Sequence, residues 1–126
     1  MNETQEDLEI GIGDKEVEML EPETVEIVKV EIQEVGEKKN EKVVCSVKHP
    51  KKEEPIKISS VKYETVKGKL ETSGLWLNKD EDKKIRKKSA LAIFLQHKGC
   101  KTLKDLTHKK VDTTNDERGY LCFKAY

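Results

Sequence analysis

Residues 89–114, SALAIFLQHKGCKTLKDLTHKKVDTT, decide how the elements on either side of them are read. Leu91, Phe94 and Leu95 recur at helical spacing, with Ile85 and Ala90 or Ala92 in support, so a helix is expected here. Asp80 or Asp82 can cap its start, and Gly99 stops it at the position just past its end. In KTLKDL, Thr102 and Asp105 match a shortened capping box, which predicts one helical turn with Leu103 and Leu106 inward. Val111–Thr114 and Tyr120–Tyr126 then read as two strands joined by the hairpin loop NDERG.

Upstream, β-branched residues alternate with charges at Val25 and Ile27 and again at Val28, Val30 and Ile32. The one-place slip at Ile27 and Val28 requires a β-bulge or a strongly coiled strand. GEKKN at 36–40 supplies a polar turn, and Lys42–Lys48 returns with Val43, Cys45 and Val47 on one face. After HPKKEEP, the stretch Ile56–Tyr63 forms a third strand with Ile56 and Ile58 inward. Residues 66–78 either continue that strand or form a short extra one ending at Leu75–Leu77. Three strands, a helix and two strands is the order of a five-stranded OB-fold-like barrel, mainly β, whose helix lies between strands 3 and 4 and plugs the barrel.

The C-terminal third, SALAIFLQHKGCKTLKDLTHKKVDTT followed by DERGYLCFKAY, resembles small single-domain OB-fold proteins of phages, archaeal viruses and plasmids. These carry a helix of the kind xALxxFLxxxG, an LKDL turn, a GKxV strand and a last strand ending in an aromatic. The resemblance covers residues 75–126, and residues 25–63 by strand order only. It implies a protein that binds single-stranded DNA or assists replication or recombination. Its motifs are packing motifs, so they speak to fold before function. Two departures stand out: His108 precedes Lys109 where the family often has glycine, and the acidic segment is N-terminal rather than C-terminal.

A chain of 126 residues suits one domain plus a tail, and with 34% hydrophobic and 40% charged residues its core must be modest. The net charge of zero hides an asymmetry. Residues 1–35 hold twelve acids and two lysines, whereas residues 36–126 hold 23 basic and 13 acidic groups. The expected organisation is an acidic N-terminal arm, residues 1–23, on a domain spanning 24–126. Arg86 and Arg118 are the only arginines, so diffuse neutralisation of a phosphate backbone suits this chain better than bidentate base reading. Lys and Glu enrichment with few Asn and Gln matches a thermophile's composition, although an AT-rich genome also raises lysine. Cys45, Cys100 and Cys122 are widely spaced with no CxxC, so buried reduced thiols are expected rather than disulfides or zinc. No apolar run reaches membrane-spanning length and the start is acidic, which points to a soluble cytoplasmic protein.

Binding nucleic acid without sequence choice needs a cationic groove and aromatic faces for bases. Lys38, Lys39 and Lys42 lie in or beside the first hairpin loop and Arg118 in the last, the loops that flank the ligand groove in OB-folds. Lys48, Lys57, Lys62, Lys67 and Lys69 lie on or beside the second and third strands. Each alone is an ordinary solvated charge; the functional claim concerns their excess. An unbroken third strand puts Lys57 and Tyr63 together on the outer face, whereas a bulge at Ser59 and Ser60 turns Tyr63 inward. Trp76 either faces away from Leu75 and Leu77 or caps the barrel. Tyr120 and Tyr126 are stacking candidates because Leu121, Phe123 and Ala125 form the more apolar face, and Phe94 belongs to the core. KKIRKK at 83–88 is expected to solvate the helix start, where cations oppose the macrodipole.

His49, His97 and His108 are scattered, Gly11 and Gly13 lack a strand-to-helix context, and DEDKK at 80–84 is ordinary for a helix start. No enzyme, metal or cofactor is expected. The expected function is sequence-tolerant binding of single-stranded DNA in replication or recombination of a phage, virus or mobile element, the arm recruiting replication proteins or competing for the groove. The alternative is a protein-interaction or structural module in which the arm of one chain pairs with the basic body of another.

Overall fold

A computed structural model of the protein describes residues 20–126. Strands β1 (Val25–Val35) and β2 (Asn40–Lys48) form an antiparallel hairpin whose register slips between Ile27 and Lys29, the bulge that the hydrophobic pattern required. The turn between them holds Gly36 at φ +79° and Lys39 at φ +52°. Strand β3 (Ile56–Ile58) joins β2, and in a second sheet β4 (Ser60–Glu64) pairs with β5 (Leu70–Gly74). Nearer the C-terminus, β6 (Lys110–Val111) joins β1, while β7 (Thr113–Asn115) and β8 (Leu121–Ala125) complete the second sheet. The two four-stranded sheets run β3-β2-β1-β6 and β5-β4-β8-β7, with β4 and β8 parallel. One residue, Ser59, separates β3 from β4, and one, Asp112, separates β6 from β7. Two chain segments therefore serve both sheets, and the strands curl as a half-barrel.

The chain from 70 to 77 departs from the expected five strands. It returns from β4 as the extra strand β5 and runs on along β2, where the Val43 amide donates to the Leu75 carbonyl (2.8 Å) and the Leu77 amide to the Glu41 carbonyl (2.9 Å).

Helix α1 (Ala90–His97) starts well after both candidate aspartates. The Ser89 hydroxyl caps it by accepting from the Ala92 amide at 3.2 Å. Asp80 closes its own turn instead, its Oδ1 accepting from the amides of Asp82 (2.9 Å) and Lys84 (3.0 Å). Lys83–Lys88 thus precede the helix rather than forming its first turn. Gly99, at φ +68°, ends the helix as expected, with the Cys100 amide donating back to the Leu95 carbonyl at 2.8 Å. Leu91, Phe94 and Leu95 are buried, and the Phe94 ring stacks on Phe123 of β8 at 4.7 Å between centroids.

A 3₁₀ turn, Leu103–Leu106, follows at the expected place and buries Leu106. The Asp105 carboxylate accepts from the Lys101 and Thr102 amides, both at 3.1 Å, and those two bonds hold its pKa below the usual 3.8. Next comes His108 at φ +70°, in the left-handed region that favours glycine. Its amide donates to the Ile27 carbonyl at 2.7 Å and leads the chain into β6.

The core gathers Ile27, Val43, Cys45, Val47, Val61 and Leu75 from the strands under α1. Cys45, Cys100 and Cys122 are all free and buried, and burial pushes the Cys45 thiol up to about 12 and Cys122 to about 11. No helix among the described residues is long and apolar enough to cross a membrane.

Glu21 and Glu23, assigned to the arm from sequence, are attached to the body. The Thr113 hydroxyl donates to the Glu23 carbonyl at 2.6 Å and accepts from the Glu23 amide at 2.9 Å. His49, 2% exposed, accepts the Lys51 amide at Nδ1 (3.1 Å), so its Nε2 carries the proton donated to the Glu21 carbonyl (2.9 Å). The Lys51 ammonium also pairs with the Glu21 carboxylate. Residues 1–19 of the arm lie outside the described residues.

Candidate nucleic-acid interface

Directly opposed residues in a sheet share a side, so the register decides which lysines can meet one ligand. Lys42 of β2 lies opposite Gln33 of β1 and is bridged to Trp76 on its other edge. Two and three alternate positions further along β2 stand Ser46, opposite Lys57, and Lys48. Lys42, Lys48, Lys57 and Trp76 therefore occupy one side of the sheet, while Val43, Cys45, Val47, Ile58 and Leu75 fill the other.

Trp76 faces away from the core, between the fully buried Leu75 and the partly buried Leu77. The Lys42 ammonium lies 4.9 Å from its ring centroid, a cation–π contact that covers part of the indole. Gly74 makes room for this pair. A Cβ there would come within 2.8 Å of Trp76 Nε1 and 2.9 Å of Lys42 Cε.

Beyond the break at Ser59 the alternation is re-phased. Val61 is fully buried, Tyr63 packs against the core, and its hydroxyl donates to Glu71 Oε2 at 3.4 Å. Burial, with the nearby Glu71 carboxylate second, raises the Tyr63 pKa. Of the two orientations open to Tyr63 from the sequence, this break gives the inward one, away from Lys57, and Lys62 takes the outer side. Lys62 lies opposite Thr72 on β5 and Lys124 on β8, and its ammonium reaches the Asn115 carbonyl at 3.4 Å. Sequence reasoning left Lys124 out, although strict alternation with Tyr126 along the last strand would have found it. Its ammonium sits 4.9 Å from the Tyr126 ring centroid. Tyr120 is half exposed.

The remaining candidates sit apart in exposed turns: Lys38 and Lys39 between β1 and β2, Lys67 and Lys69 between β4 and β5, and Arg118 before β8. The Arg118 turn lies against the second sheet, where Glu117 accepts from the Thr72 hydroxyl at 3.2 Å. Acids dilute the positive side: Glu31 is paired with Lys29 at 2.7 Å, and Glu26 lies opposite Lys48. No cluster of three His, Cys, Asp or Glu side chains that could hold a metal occurs among the described residues. No protein-family model, curated protein or solved structure matches this chain. What the arrangement offers chemically is a row of ammonium groups beside an indole, suited to attraction and stacking.

Proposed function

We propose that the protein binds single-stranded nucleic acid, sequence-tolerantly, along the outer side of β2, β3 and β4, in replication or recombination of a viral or mobile element. The observation that carries the reading is the register that sets Lys42, Lys48 and Lys57 on one side of the sheet with Trp76. Ammonium groups spaced along adjacent strands follow a phosphate backbone, and a tryptophan among them offers a face to a base.

An OB-type barrel is the finer fold reading. Residues 56–64 and 110–115 are each taken as one bent strand. The main segments then follow the circuit 25–35, 40–48, 56–64, 121–125, 110–115 and back to 25–35 through the recorded pairings, the third and last running parallel. That circuit, with α1 between its third and fourth strands in chain order, supports the OB reading and agrees with a binding face on strands 2 and 3. The strand β5 is then an addition paired to β4, and the chain that follows it, residues 75–77, lies along β2.

Trp76 is the chain's single tryptophan, so its fluorescence reports on the site directly. The test is titration with a labelled oligonucleotide by anisotropy at low and physiological salt, following tryptophan quenching in parallel. Binding that weakens with salt and quenches Trp76 is the expected result. No binding at low salt, or salt-indifferent binding, overturns the reading. Equal competition by duplex would overturn the single-strand preference.

A further inference from the structure

Away from that face, an open groove of about 830 Å³ lies between the loop before α1, the helix itself and the 3₁₀ turn. Lys83, Lys84, Lys87, Lys101 and Lys104 rim it, and among the described residues no acid lines it. None of these five ammonium groups forms an ion pair among the described residues. Its floor is apolar, formed by Ile85, Ala92, Leu95 and Leu103. A cationic rim over an apolar floor selects a ligand that is acidic and aliphatic together, and five lysines gathered around one open groove repel one another unless anions approach.

The chain contains such a segment. Residues 1–19 hold seven acids against one lysine, and within DLEIGIG at 7–13 the aliphatic residues Leu8, Ile10 and Ile12 fall on every second position. In an extended conformation those three share one side and the acids flank them. We propose that the acidic segment around Leu8–Ile12 docks into the lysine-rimmed groove of its own chain, its aliphatic side chains on the Ile85–Leu95–Leu103 floor and its carboxylates among the rim lysines. Reach is sufficient: the eight residue steps from Ile12 to Leu20 span up to roughly 28 Å and the twelve from Leu8 up to roughly 42 Å, and a body of this size has a radius of gyration of only about 13 Å. The β2–β3 side is the poorer receptor for this segment, because Glu26 and Glu31 stand on it. Docking there would compete with nucleic acid; docking in the groove leaves the proposed binding face open. The inference does not depend on nucleic-acid binding, and its test contains none.

Mixing unlabelled with ¹⁵N-labelled full-length protein and treating with a carbodiimide, which joins carboxylates directly to lysine amines, separates links within a chain from links between chains by mass. The expected result is same-chain links from Glu6, Asp7, Glu9 or Asp14 to Lys84, Lys87, Lys101 or Lys104. A Leu8→Ser, Ile10→Ser, Ile12→Ser triple variant keeps every charge and should reduce those links at least five-fold. The proposal is overturned if links run mainly to Lys42, Lys48 and Lys57, if they join only differently labelled chains, if none form, or if the serine variant leaves them unchanged.

Discussion

Replacing Lys48 and Lys57 together by glutamine removes two charges from the side of the sheet proposed to follow the phosphates. Both side chains are exposed, sit on adjacent strands, and make no ion pair among the described residues, so the change should leave the fold intact to within about 0.5 kcal/mol. Each phosphate neutralised on a single strand contributes roughly 0.7 to the slope of log affinity against log salt, so losing two contacts should flatten that slope by about 1.4. Across a four-fold rise in salt this corresponds to about a seven-fold difference in how much affinity is lost, well within the resolution of anisotropy titrations. Lys83→Gln with Lys84→Gln is the matched control, equal in charge and placed in the loop before α1. The reasoning is refuted if the control flattens the slope as much as the test pair, because binding would then follow net charge rather than the β2–β3 side. It is equally refuted if neither pair changes the slope.

Three further outcomes follow from local structure. His108 at φ +70° should accept glycine with no loss or a gain of up to about 1 kcal/mol, whereas His108→Val should cost about 1–2 kcal/mol; chemical denaturation that reverses this order would contradict the assigned backbone. The Asp105 carboxylate, whose pKa is lowered by the Lys101 and Thr102 amides, stabilises the fold fully above its ordinary value of 3.8 and loses that contribution as pH falls through its lower folded value. The stability advantage of wild type over Asp105→Ala should therefore shrink below that pH, and an advantage that grew on acidification would be inconsistent. Thiol labelling of the native protein near pH 8 should reach Cys100, at the edge of the groove, before Cys45 and Cys122, whose thiols burial keeps protonated. Rapid native labelling of Cys45 would contradict its burial.

Where local chemistry determined the outcome, the sequence was readable. The bulge in β1, the end of α1 at Gly99, the turn at Leu103–Leu106 and the buried Phe94 all follow from patterns within a few residues. The helix start was misread because aspartate caps a tight turn as readily as a helix, and Asp80 spends its carboxylate on Asp82 and Lys84. Tyr63 depended on the single residue Ser59, where the chain leaves one sheet for the other; a serine carries no signal that distinguishes a straight strand from a broken one. Lys42 and Trp76 were each singled out, yet their contact arises from the path of residues 74–77 along β2, a long-range pairing that no local pattern encodes.

The parallel pairing of Val61 with Phe123, and the antiparallel pairing of Val25 with Val111, also have a kinetic consequence. The hairpins β1–β2, β4–β5 and β7–β8 can each form from neighbouring residues, but neither sheet is complete until distant segments meet, and chain entropy opposes those meetings before any contact rewards them. Refolding should therefore be limited by sheet closure. During that wait the unpaired edge of β4 is open to the wrong strand, including one from another molecule.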